Sequence, residues 1–115
     1  MNEVYLEGII TDIEEPQHTV NTQRHLKIRL KVSHVTTQKK TKSEKYTINA
    51  WNKLATWGLN NLELGMKILV KGYLTQQSYS NILFTEITAS KFIIGSAIKT
   101  MVLSLPQPLN HEPNK

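Results

Sequence analysis

Apolar and polar residues alternate with a period of two along much of the chain, and an extended backbone sends alternate side chains to opposite faces. Val4 to Ile13 alternates in this way and contains Gly8, whose missing Cβ suits a bulge or bend in a curved sheet. Glu14, Glu15 and Pro16 end that strand, and Gln17 to Gln23 reads equally as a short return strand or a loop. From Arg24 to Val35 the alternation is strict. Leu26, Ile28, Leu30 and Val32 fall on one side, and His25, Lys27, Arg29 and Lys31 on the other. The next segment, Thr36 to Lys45, has no apolar residue and predicts a mobile basic hairpin loop carrying Lys39, Lys40, Lys42 and Lys45. Alternation resumes from Lys45 to Trp51, with Tyr46, Ile48 and Ala50 inward and Lys45, Thr47, Asn49 and Trp51 outward.

A helical spacing follows. Asn52 is the expected cap, Leu54, Ala55, Trp57, Leu59 and Leu62 form an apolar stripe with Trp57 in the core, and Gly65 is the expected stop. Met66 to Leu74 predicts a strand with Ile68, Val70 and Leu74 inward, Lys67, Lys71 and Tyr73 outward, and a bend at Gly72. Thr75 to Asn81 reads as a polar hairpin loop and Ile82 to Ala89 as the last core strand. The apolar pieces KFIIG and IKTMVLSL, between Lys91 and Leu105, are open between an extra strand and an oligomer contact. The proline-rich segment 106–115 is expected to be disordered, which leaves one domain over residues 1–105. Five strands with one short helix between the third and fourth predict an all-β barrel, a five-stranded OB-fold. An SH3-like barrel is the competing architecture, but it usually has no helix of this length at that point.

Composition narrows the chemistry. A chain of 115 residues can close one core without staples. It has no cysteine, which excludes a disulfide framework and a thiolate zinc site and makes a reducing, cytoplasmic setting the expectation. No apolar run is long enough to span a bilayer, and MNEVYLEG lacks the features of a signal peptide. Fourteen Lys and Arg against nine Asp and Glu give a formal charge of +5, which favours polyanionic partners. The cationic face at Lys27, Arg29 and Lys31 is therefore either an ordinary solvated face or a surface for a chain of phosphates. His18, His25, His34 and His111 are scattered, with His25 and His34 on opposite parities. No nucleophile, base and carboxylate share a recognisable spacing, and there is no glycine-rich phosphate loop. No enzymatic activity, metal or cofactor is expected.

The sequence pieces NEVYLEGIITDIEEP, INAWNKLATWGLNNLELGMKILVKGYL and NILFTEITAS, the last with Thr85 and Glu86, resemble in order the OB domain of bacterial single-stranded DNA-binding proteins and of their relative, primosomal replication protein N. The resemblance spans residues 2–94. It implies that single-stranded DNA runs over the outer sheet face and the hairpin loops, held by aromatic stacking and basic side chains. Trp51 matches a family aromatic that stacks a base, the alternative being that it caps the barrel or packs under the helix. Tyr79 lies near a family loop aromatic, and Tyr73 and Phe84 face outward by parity. The family tryptophan six positions before Trp51 is Lys45 here, and the one expected in the loop after the second strand is absent. Contacts are thus expected to shift from bases to phosphates, through Lys27, Arg29, Lys31, Lys39, Lys40, Lys42 and Lys45, with Lys67 and Lys71 as further candidates.

These readings imply sequence-independent binding of single-stranded DNA in replication, recombination or repair, by a homo-oligomer, dimer or tetramer. RNA is also a candidate ligand, because stacking and phosphate contacts do not test for a 2′-hydroxyl. The family's acidic-aromatic C-terminal tip has no counterpart in NHEPNK. That leaves open a second reading, a primosome accessory or protein-interaction module that contacts other replication proteins and binds nucleic acid weakly.

Overall fold

The structure is a computed structural model and describes residues 1–16, 23–95 and 105. Five strands, β1 (Val4–Glu14), β2 (His25–Val35), β3 (Thr41–Trp51), β4 (Lys67–Tyr79) and β5 (Ile82–Ile94), close into a barrel in the order β1-β2-β3-β5-β4. One helix, α1 (Asn52–Asn61), joins β3 to β4. This is the expected OB-fold. Closure depends on a short parallel pairing of β3 with β5, Ile48 against Ile87 and Asn49 against Thr88; every other pairing is antiparallel.

The inward parity of each strand supplies the core. Ile10, Leu26, Ile28, Leu30, Ile48, Ala50, Ile68, Val70 and Ile87 are buried in one cluster. The Ile, Leu and Val side chains among them each contribute roughly 1.5–3 kcal/mol when fully buried. Helix α1 adds Ala55 to this cluster and Leu62 follows just beyond its end. Gly58 lets the helix lie close, since a Cβ there would stand 2.5 Å from the Leu26 side chain.

At two places neighbouring strands approach each other too closely for any side chain. A Cβ on Gly8 would stand 2.3 Å from the Lys31 carbonyl oxygen, and one on Gly72 would stand 2.3 Å from that of Thr88. The expected bend at Gly72 coincides with a register shift between Lys71 and Gly72. The irregularity in β1 lies instead between Ile10 and Asp12, so Gly8 serves close approach.

Several expectations need correction. The basic segment Thr36 to Lys45 is mostly strand: β2 and β3 pair without a break from His25–Trp51 to Val35–Thr41, which leaves residues 36–40 as the turn. Likewise Thr75 to Tyr79 continue β4, and the turn is only Ser80 and Asn81, both at positive φ (51° and 66°). Both arms extend beyond the barrel, where solvent reaches both faces and apolar alternation fades. Leu74, expected inside, is 49% exposed where β4 leaves the core. KFII continues β5, with Phe92 and Ile93 buried. Asn52 does not cap the helix: Trp51 holds the cap position without a side-chain bond, and Asn52 itself has φ 54° and donates its N–H to Arg24 O. Trp57 is not core but partly exposed, stacked at 6.2 Å on Phe92. Most of the segments read as Gln17 to Gln23 and IKTMVLSL, and all of the tail 106–115, lie outside the described residues.

Candidate nucleic-acid interface

Antiparallel register carries the outward row of β2 directly across to β3. His25 faces Trp51, Lys27 faces Asn49, Arg29 faces Thr47 and Lys31 faces Lys45. Two lysines opposite each other on one face repel and cost stability. Among the described residues none of Lys27, Arg29, Lys31 or Lys45 forms an ion pair. Cations gathered in this way leave a surface suited to an external anion.

The β4–β5 arm supplies the other wall. On its outward face Tyr73, Thr75, Gln77 and Tyr79 stand opposite Thr88, Glu86, Phe84 and Ile82. Together the two walls enclose a cleft of about 360 Å³ lined by Lys27, Arg29, Thr47, Tyr79, Phe84 and Glu86. Tyr79 is fixed over it: Lys27 Nζ lies 5.0 Å from its ring centroid and donates to its hydroxyl at 3.4 Å, and that hydroxyl donates to Glu86 Oε1 at 3.2 Å. Phe84, 44% exposed, packs at 5.5 Å and 56° against the Tyr79 ring.

Below the cleft lies a buried polar chain that strand parity does not reveal. Asn49, expected outward with Lys45 and Thr47, is only 1% exposed. Its Nδ2 donates to Glu86 Oε1 at 2.6 Å and its Oδ1 stands 2.6 Å from His25 Nε2. With Oδ1 turned to the imidazole, His25 Nε2 must carry the proton. The His25 ring in turn stacks flat on Trp51, centroids 4.0 Å apart and planes within 5°. One face of the half-buried Trp51 indole is therefore occupied. Tyr46, beside a smaller cavity at the barrel end away from α1, donates to Glu44 Oε1; that hydrogen bond and the nearby negative charge hold its phenol above the ordinary range.

The remaining candidates are spread more widely. Lys39 and Lys40 sit at the β2–β3 turn, and Lys42, on the β3 arm, lies 4.0 Å from Glu44. Lys67 pairs with Glu7 at 3.7 Å, and Lys71 lies over the Tyr5 ring at 6.0 Å, so both stand on the β1 side of β4. Tyr73 is exposed and shares the outward row of Tyr79. Sequence reasoning misses Asn49 and Glu86 as parts of the site, and places His25 only as a member of the outward row with Lys27, Arg29 and Lys31. Among the described residues no cluster of His, Asp and Glu could hold a metal ion, and no helix is long and apolar enough to cross a membrane.

A family model described as the single-strand binding protein family matches residues 1–95. Among solved structures, the chain is similar to the single-strand binding domain of a protein from Synechococcus sp., at TM-score 0.63 and 14% identity. The match covers 81% of this chain and 94% of that one. Among curated proteins nothing matches.

Proposed function

The chain belongs to the single-strand binding protein family, and from that premise we propose that its β2–β3 face and β4–β5 arm hold single-stranded DNA. The carrying observation is that unpaired cations and exposed rings line one cleft: Lys27 and Arg29 stand beside Tyr79 and Phe84, with Lys31 and Lys45 continuing the cationic row. Phosphates would lie on the cations, and bases would stack on Phe84, Tyr79, Tyr73 and Trp51. Stacking of this kind contributes about 1–3 kcal/mol per base and accepts any base, which supports broad sequence tolerance along the path.

The setting we infer is replication, recombination or repair in the cytoplasm. A homo-oligomer is part of the same reading.

Titrating the protein with oligo-dT while following tryptophan emission tests the reading. Trp57→Phe leaves Trp51 as the only reporter, since the chain has two tryptophans. Quenching that saturates, with affinity falling as salt rises, is the expected result. No binding, or binding indifferent to salt, would overturn it.

A further inference from the structure

The cleft between the two arms contains one group that phosphate binding cannot explain. A carboxylate repels phosphate, yet Glu86, 7% exposed, lines this cleft together with Lys27 and Arg29. Its Oε1 already accepts from Asn49 Nδ2 at 2.6 Å and from the Tyr79 hydroxyl at 3.2 Å. Among the described residues no side chain donates to its Oε2. An ionised carboxylate has about four acceptor positions, so the network uses one oxygen and leaves the other in need of donors.

The groups lining the cleft match one nucleobase best. Guanine presents two neighbouring donors, N1–H and the N2 amino group, and on its other edges the acceptors O6 and N7, which Arg and Lys bind. Glu86 Oε2 can take the donors while Arg29 and Lys27 reach the acceptors. Adenine and cytosine offer one amino group beside a ring-nitrogen acceptor, and thymine offers one N–H between two carbonyl oxygens that would oppose the carboxylate. Phe84 supplies an exposed ring for stacking.

We propose that this cleft is a guanine-selective subsite within an otherwise sequence-tolerant path for single-stranded DNA, with Glu86 as the residue that selects the base. The proposal rests on the assignment of this face to single-stranded DNA. Elsewhere on the path base identity matters little; at this cleft it matters because only guanine satisfies both the carboxylate and the cations.

The test compares oligonucleotides of equal length in competition: oligo-dT, a TTG repeat, a TTA repeat, and a TTI repeat in which inosine lacks only the N2 amino group. On the unaltered protein the TTG repeat should bind about fivefold or more tighter than the TTI and TTA repeats. Glu86→Gln keeps an acceptor for Asn49 and Tyr79 and replaces the other oxygen with a donor, so the ratio of TTG to TTI affinity should fall to about one. Oligo-dT bound with TTG and TTI equal overturns the guanine subsite and leaves the single-strand reading standing. Failure of every oligonucleotide overturns both. A preference that survives Glu86→Gln also overturns the assignment, and displacement of the TTG repeat by an equal base concentration of free dGMP would assign the cleft to a mononucleotide instead.

Discussion

A buried asparagine between an imidazole and a carboxylate satisfies both in only one orientation, and Asn49 adopts it, with Oδ1 toward His25 and Nδ2 toward Glu86. Replacing it with Ala would leave Glu86 and His25 each short of a partner where water is scarce. Asn49→Ala should therefore destabilise the fold by about 1–3 kcal/mol. The check is a lower urea midpoint at unchanged slope, which separates lost stability from a changed unfolded state. Strand parity alone puts Asn49 on the correct face, outward beside Lys45 and Thr47, but does not show its burial. Parity tells which side of a strand a residue takes, not what a neighbouring strand lays over it. Here β5 runs alongside β3 at Asn49 and brings in Glu86 from 37 positions away. Trp51 shows the same limit: its outward position was legible, while the stacking of His25 on one indole face depends on side-chain rotamers that no periodicity encodes.

At the scale of elements, the strands that enclose the core were readable and the arms that build the site were not. Ile48 and Ala50 announce the end of β3 because one face is buried; Lys42 and Lys45, on the same strand, sit where both faces are wet, and only backbone pairing keeps them extended. The polar run of β4 before Tyr79 has the composition of a loop for the same reason. The two-residue turn that makes it a hairpin places both Ser80 and Asn81 at positive φ, a conformation that costs most residues about 1–2 kcal/mol. Asn tolerates it better than Ser, and Gly better still, which is why Asn-Gly is the favoured pair in such turns. The double change Ser80→Asn with Asn81→Gly should raise stability by about 0.5–1 kcal/mol. Hydrogen exchange gives the direct readout: slower exchange at amides within Thr75 to Glu86 is expected, and unchanged exchange there would show that the arm is not limited by its turn.

Over the whole molecule, the basic residues that the sequence groups into one set are distributed around a closed cylinder. Outward on a flat sheet is one direction, but outward on a barrel is every direction, so parity could not separate Lys27, Arg29, Lys31 and Lys45 from Lys67 and Lys71. The structure does separate them. Among the described residues the first four crowd the β2–β3 face without ion pairs, whereas Lys67 already holds Glu7 at 3.7 Å beyond β1. Each phosphate contact on a single strand contributes about −0.7 to the slope of log affinity against log salt, so a path over the four unpaired cations predicts a slope of about −3. Lys31→Ala should reduce its magnitude by about 0.7. Lys67→Ala should change it less, because Lys67 must break an exposed pair before it can hold a phosphate, and that exchange releases little net counterion. Measured over the same salt range, equal losses from the two variants would mean that the strand crosses β1, from Lys31 past Ile9 to Lys67, which share one cross-strand row. A loss confined to Lys31→Ala would confine the path to the β2–β3 face and its cleft.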